Sequence, residues 1–367
     1  MRLLFDGRCV QDGFPGIGRY AYRLIEAMVR LPGAPEISVL VPDRPNTRFP
    51  WDALEVCRIS TDTNLFSPIN QLRLGRQLRR GRYDLCHFPY ILHPLGSQCP
   101  RVVTVHDLIP VWFPDELASK WRRWTYCAAL RVSMAGASAL LTPTRYVAEE
   151  IRRRFGYKGP VGITPHGVDP LFIPHKAPGP ILAEYGLDPG YLLTVSSHRP
   201  HKNLIFLLEV YREVAKVLSQ PVPLVIVGSE GTSTPRIERA VAEWGMERTV
   251  RFLKWVPENH LPAIYSGAYL FLFPSLMEGF GFPPLEARAC GCPALVSDIP
   301  PMRETAGPGS ILLAPSDHSA WVSAIVDLFQ DTEKRQAMAT SATEAALTFN
   351  WTRTASLTLE VYRKVIR

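Results

Sequence analysis

Short apolar runs alternate along this chain with longer segments in which apolar residues recur every three to four positions. Residues 1–5, 37–41, 84–87, 102–105 and 139–142 read as strands. Between them, residues 20–30 place Leu24, Ile25 and Met28 on one face, and segments near 68–81, 115–136 and 144–156 carry the same helical period. A strand, a glycine-containing turn and a helix, repeated in that order, predict parallel sheets covered by helices on both faces.

The stretch FIPHKAPGP at 172–180 carries three prolines and a glycine and interrupts every period around it, so it is expected to be a linker. Beyond it the pattern restarts. Strands are expected at 191–195, 223–227, 250–253, 269–273 and 294–297, helices at 203–218 and near 234–245, and three helical segments from about 317 onward. The length of 367 residues suits two domains. The expected fold class is α/β, with two Rossmann-like doubly wound domains.

Composition narrows the class. With 46% hydrophobic and 20% charged residues, neither disorder nor a fibrous architecture is suggested. No run approaches the roughly 18 apolar residues of a membrane span, and MRLLFDGRC lacks a secretory apolar region, so a cytoplasmic protein is expected. The seven cysteines are odd in number and scattered, which argues against a disulfide framework. Cys290 and Cys292 are too close together for a zinc site and read as small buried residues. Of the net charge of +7, residues 1–175 hold 23 Lys/Arg against 15 Asp/Glu, and the remainder 18 against 19. The surplus points to an anionic partner for the first half: nucleic acid, a phosphorylated substrate or anionic lipid.

The strongest chemical signal is PSLMEGFGFPPLEARACGCPALVS at 274–297. Gly279 and Gly281 allow a turn and a close backbone approach, Pro283 and Pro284 suit a first helical turn, and Gly291 ends that helix. A strand feeding such a loop exposes main-chain amides and a helix N-terminus at the sheet's carboxyl edge, where anions bind. Glu278 and Glu286 flank this anion site. Carboxylates repel phosphate and accept from hydroxyls, and a nucleoside diphosphate sugar carries both groups. Taken singly, each glutamate also has a structural reading, since the macrodipole stabilises an acid in a first turn without any ligand.

The segment E-G-F-G-F-P-P-L-E, continuing into E-A-R-A-C-G-C-P, resembles the E-x7-E motif of the retaining glycosyltransferases of family four. The resemblance spans nearly the whole chain. It includes Asp6-Gly7 with the loop around Gly16 and Gly18, VVTVHD at 102–107, TPHGVDPLF at 164–172, SSHRPHKNL at 196–204 and a closing helix at 351–362. It implies the glycosyltransferase-B fold, two domains facing each other across a cleft. An acceptor-binding domain at 1–173 is followed by a donor-binding domain at 174–350 and a helix at 351–367 that crosses back to the first.

The resemblance also implies roles. Lys202 stabilises the departing diphosphate, with Arg199 as a second cation. The family often places its arginine elsewhere in this turn, and here His198 and His201 occupy neighbouring positions. Glu278 holds donor-sugar hydroxyls and Glu286 the ribose, while Gly279, Phe280 and Gly281 approach the donor through their main chain. His106 lies near the donor sugar's C6 hydroxyl, Asp107 orients or caps, and Gly16 and Gly18 approach the phosphates or the acceptor. Reaction with retention is implied, by same-face attack, with no metal and no cofactor; the donor is a substrate, and no Asp-x-Asp occurs. The nearest patterns resemble bacterial mannosyltransferases of surface polysaccharides, which implies GDP-mannose. UDP-sugar-dependent transfer of glucose, galactose or N-acetylglucosamine is the alternative.

The basic first half asks for an acceptor. Residues 70–82 hold five arginines, including Arg73, Arg76 and Arg80, and residues 119–126 interleave Lys120, Arg122 and Arg123 with Trp121, Trp124 and Tyr126. Mixed basic and aromatic residues suit the cytoplasmic face of the inner membrane and the diphosphate of a lipid-linked glycan. A solvated helix face with its aromatics packed inward fits equally well. Three rivals remain: a sugar-nucleotide epimerase, an inactive family member acting as a binding partner, and a nucleic-acid-binding protein. The last lacks zinc-finger spacing and an RRM-like motif, and no nucleic acid is expected as a partner.

Overall fold

A computed structural model describes residues 1–11, 15–43, 49–61, 65, 67–78, 81–94, 99–116, 119–218, 220 and 222–367. The chain divides into two compact units, Met1–Gly167 with Asn350–Arg367, and Val168–Phe349.

The first unit begins with β1 (Arg2–Asp6), α1 (Pro15–Met28), β2 (Glu36–Pro42), β3 (Cys57–Thr61), α2 (Pro68–Leu78) and β4 (Leu85–Phe88). There follow β5 (Arg101–Thr104), α3 (Ile109–Trp112), α4 (Lys120–Ala135), β6 (Ala139–Thr142), α5 (Arg145–Phe155) and β7 (Val161–Ile163). The strands form one parallel sheet in the order β3-β2-β1-β4-β5-β6-β7. Strand order reverses between β1 and β4, which opens a switch point at the carboxyl ends of those strands.

The second unit runs α6 (Gly179–Ala183), β8 (Tyr191–Val195), α7 (Leu204–Val217), β9 (Leu224–Val227), α8 (Thr234–Glu243), β10 (Val250–Leu253), α9 (Leu261–Gly267) and β11 (Ala268–Phe273). It continues with α10 (Phe282–Ala289), β12 (Ala294–Ser297), α11 (Pro300–Thr305), β13 (Ser310–Leu313), α12 (His318–Gln330) and α13 (Thr332–Ala346). Its parallel sheet has the order β10-β9-β8-β11-β12-β13, with the switch point between β8 and β11. One core cluster joins the sheet to α9 and α10, and another joins it to α7, α8 and α12. Burial on both faces explains why β9 is a continuous apolar run and why every residue of β9 and β12 is buried.

The closing helix α14 (Trp351–Val365) belongs to the first unit. Asn350 caps it by accepting from the Arg353 amide, Thr354 Oγ1 donates to Pro165 O at 2.6 Å, and Tyr362 is fully buried against His87.

Three features differ from the sequence expectation. The division falls at Gly167/Val168 rather than at 173/174, because the Val168 amide bonds Phe349 O at 2.8 Å and Phe172 packs on Tyr265 inside the second unit. The helix expected over 115–136 starts at Lys120, where the Ser119 hydroxyl accepts from the Arg122 amide, and the shorter α3 precedes it. Strands β3, β7 and β13 were not expected at all. Cys290 and Cys292 are buried free thiols, in keeping with their reading as packing residues.

Candidate active site

In the second unit the switch point brings two loops together, one after β8 and one after β11. The first is a tight turn over Pro200–Lys202, closed by Asn203 at φ 57°, a left-handed value that asparagine tolerates better than most side chains. Asn203 Nδ2 then donates to Pro315 O at 3.2 Å and α7 begins. The second loop joins β11 to α10. A main-chain bond from the Leu276 amide to His201 O, 2.7 Å, ties the two loops together.

Across that seam Lys202 Nζ donates to Glu278 Oε1 at 2.6 Å, with the two side chains 14% and 11% exposed. The ammonium also lies 5.2 Å from the Phe273 ring centroid, a cation–π contact. An ammonium carries three donors, so one bond to Glu278 leaves capacity for a ligand oxyanion.

Gly281 precedes α10 at φ 92°, a conformation that strains any residue with a side chain, and a Cβ there would meet Met302 Cε at 2.4 Å, so Met302 would also have to shift. Pro283 and Pro284 occupy the first turn of α10. The Phe280 ring is buried against Phe282 and Phe349, and its carbonyl accepts from Thr305 Oγ1. Glu286, 4% exposed, accepts from Tyr265 Oη at 2.9 Å. Around the same strand ends, Ser196 Oγ, His198 Nε2, Ser275 Oγ and Ser297 Oγ are buried without a hydrogen-bond partner.

Arg199 lines a cavity of about 510 Å³ together with Asn203 and Leu276 of the two loops and with Glu209, Arg236 and His318.

The sequence-selected residues of the first unit lie at its own strand ends. At the carboxyl end of β1, Asp6 and Arg8 form a bidentate ion pair, Nε to Oδ1 2.8 Å and Nη2 to Oδ2 2.6 Å, with Arg8 1% exposed. Gly18 sits against the turn that follows, where a Cβ would meet Cys9 O at 3.2 Å, while Gly16 has open space around it.

His106 follows β5. Its Nε2 lies 2.9 Å from Pro89 O, which can only accept, so Nε2 carries the proton and Nδ1 accepts from His166 Nε2 at 3.2 Å. Both imidazole nitrogens are thus engaged by the protein itself, and a bond from His106 to a ligand requires one of them to be released. Burial pushes the His106 imidazole down to about 4, so it is neutral at pH 7. Asp107 Oδ1 accepts from the Ile109 amide at 2.9 Å, supporting the start of α3.

Residues 184–345 match the family model described as glycosyl transferases group 1, and residues 15–171 the model described as Glycosyltransferase Family 4. The chain is a glycosyltransferase built from a Glycosyltransferase Family 4 domain and a group 1 domain. It is 27% identical to the O-antigen chain mannosyltransferase B of Escherichia coli, over 99% of this chain and 100% of that protein. Among solved structures it resembles sucrose-phosphate synthase from Thermosynechococcus elongatus, with a TM-score of 0.79, 20% identity and coverage of 99% and 98%. It also resembles Anabaena HepE in complex with UDP and glucose, with a TM-score of 0.77, 15% identity and coverage of 99% and 100%. These likenesses identify the fold as glycosyltransferase-B.

On the surface of this glycosyltransferase, Trp121 and Trp124 are 68% and 61% exposed and stack on each other with ring centroids 5.1 Å apart. Arg122 and Arg123 are exposed beside them. The alternative in which both indoles pack inward does not hold. On α2, Arg73 and Arg76 are exposed with Ile69 and Leu72. Arg80 and the side chain of Lys120 lie outside the described residues.

Sequence reasoning missed Tyr265, since nothing in its local pattern points to a carboxylate 21 positions away. It also missed His166, although that residue stands in the TPHGVD segment used for the family resemblance.

Proposed function

We propose that this glycosyltransferase moves mannose from GDP-mannose to a hydroxyl of a lipid-linked glycan acceptor, with retention and without a metal ion. The observation that carries the reading is the preformed contact of Lys202 with Glu278 beside the N-terminus of α10. As the bond from the anomeric carbon to the diphosphate breaks, negative charge grows on the leaving phosphate and positive charge on the sugar ring. Lys202 meets the first charge, with the N-terminus of α10 adding its dipole. Glu278 accepts from sugar hydroxyls and Glu286 from the ribose, which fixes the donor for attack.

The acceptor hydroxyl attacks from the face that the diphosphate leaves. A phosphate oxygen takes the hydroxyl proton, and the products are the mannosylated acceptor and GDP. In this reading Gly279, Phe280 and Gly281 approach the donor through their main chain, and Arg199 is a subsidiary cation. His106 reaches the donor sugar by exchanging its bond to Pro89, and Gly16 and Gly18 shape the phosphate or acceptor end.

The mannosyl donor is supported by the likeness to an O-antigen mannosyltransferase over the full chain. Contact with the cytoplasmic face of the inner membrane is supported by the exposed indole pair and its arginines. Among the described residues no helix is long and apolar enough to cross a membrane.

Incubating the enzyme with GDP-, UDP- and ADP-sugars and a lipid-linked acceptor, with EDTA present, tests the reading. Transfer from GDP-mannose alone, with the α-configuration of the donor kept in the product by NMR, is expected. A UDP-hexose donor is the second reading, favoured by the solved complex of the structural neighbour HepE with UDP and glucose. A donor altered without any acceptor would point instead to an epimerase.

A further inference from the structure

Tyr265, on α9, has no exposed surface, and its ring is packed edge-on against Phe271 and Phe172 at 5.6 and 5.9 Å between centroids. A phenol in such surroundings needs an acceptor for its hydroxyl. The acceptor is Glu286 Oε2 at 2.9 Å, on α10, with the carboxylate itself 4% exposed. A glutamate on the first turns of a helix has three side-chain torsions to fix before its carboxylate points at anything. The bond from Tyr265 fixes the last of them from a neighbouring element of the same core cluster. Each carboxylate oxygen accepts two hydrogen bonds, so the phenol does not exhaust Oε2.

We infer that Tyr265 is a positioning residue that holds Glu286 in register for the ribose of a nucleotide donor. Selectivity for ribose over deoxyribose then runs through a hydroxyl on α9 that touches no ligand. This rests on the reading of Glu286 as the ribose contact. Tyr265→Phe removes one oxygen and leaves the ring in its aromatic contacts, so the fold is kept while the carboxylate loses this bond.

The test is equilibrium binding of GDP, UDP and ADP, each against its 2′,3′-dideoxy analogue, by calorimetry. The proteins are the wild type, Tyr265→Phe, Glu286→Gln and the double variant, with melting temperatures measured in parallel. Using all three bases keeps the outcome independent of the guanine assignment. For the nucleotide that binds best, Tyr265→Phe should weaken the ribonucleotide about tenfold and the dideoxy analogue less than about twofold. Glu286→Gln should show the same selective loss, and the double variant should be no worse than Glu286→Gln alone. In turnover, Tyr265→Phe should raise KM for the donor and leave kcat nearly unchanged.

Equal weakening of both nucleotides by Tyr265→Phe, or no change in either, overturns the proposal. Selectivity lost in Glu286→Gln but kept in Tyr265→Phe overturns it while leaving the role of Glu286 intact. Selectivity kept in Glu286→Gln removes the ribose reading of Glu286, and this proposal with it.

Discussion

Lys202 Nζ and Glu278 Oε1 lie 2.6 Å apart although 76 positions separate the residues in the chain. Parallel topology accounts for the meeting. β8 and β11 are neighbours at the point where strand order reverses, so the loops that follow them share one edge of the sheet. The Lys202 ammonium and the Glu278 carboxylate are therefore oriented by each other.

Removing the lysine should cost catalysis far more than folding. Lys202→Ala is expected to lower kcat by about 100- to 1000-fold, the usual loss for one transition-state donor. Steady-state turnover with GDP-mannose measures it, and a rate within threefold of wild type would remove the proposed role. Arg199→Ala should lower turnover less than Lys202→Ala, because in this reading Arg199 is only a subsidiary cation, and its side chain lines the neighbouring cavity with Arg236 and His318.

Gly281→Ala should be destabilising by about 1–3 kcal/mol, since it strains a residue held at φ 92° and forces Met302 aside. Urea denaturation gives the value. Donor binding should weaken as well, because the same glycine sets the entry angle of α10; normal stability in this variant would contradict the observed backbone.

The strands that escaped the sequence reading share a location. β3 and β7 are the two edges of the first sheet, and β13 is an edge of the second. Central strands covered on both faces read as continuous apolar runs, as LVIV in β9 does; an edge strand such as CRIST in β3 is partly exposed and carries polar residues. The loops of the candidate site were legible for the opposite reason. Gly281 and the Pro283-Pro284 pair are local requirements of one turn, written in adjacent letters. The bond of Tyr265 to Glu286 and the engagement of both His106 nitrogens depend on which elements pack together, and no local pattern records that.

Acid should weaken the first unit before it reaches the usual carboxylate range. Burial lowers the imidazoles of His87 to about 3 and His106 to about 4, and holds His166 well below its ordinary value. His87 sits between Thr104 Oγ1 and Tyr362 Oη, so its neutral form helps to bind α14 to the sheet. The unfolded chain takes up protons near pH 6.5 that the folded unit refuses, so stability is fully present above that pH and is lost as pH falls toward 4. Each histidine contributes up to about 1.4 kcal/mol per pH unit in that window. Chemical denaturation at intervals from pH 7.5 to 4.5 should show this slope, and a flat profile between pH 6.5 and 5 would refute it.

The exposed indoles bear on where the enzyme works. Trp121 and Trp124 stack on each other rather than in the core, so changing both to alanine should leave stability within about 0.5 kcal/mol of wild type. An indole pair at a bilayer interface buries apolar surface, and each neighbouring arginine adds about 1 kcal/mol against an anionic surface. Vesicle co-sedimentation should therefore show binding to phosphatidylglycerol-containing membranes that drops more than about tenfold in the double tryptophan variant. Arg122→Ala with Arg123→Ala should weaken it about 30-fold at low salt and less at high salt, because the charge contribution is screened while the indole contribution is not. Equal binding of the wild type to neutral and anionic vesicles would leave the arginines without a membrane role. Binding unaffected by loss of both indoles would remove the surface altogether.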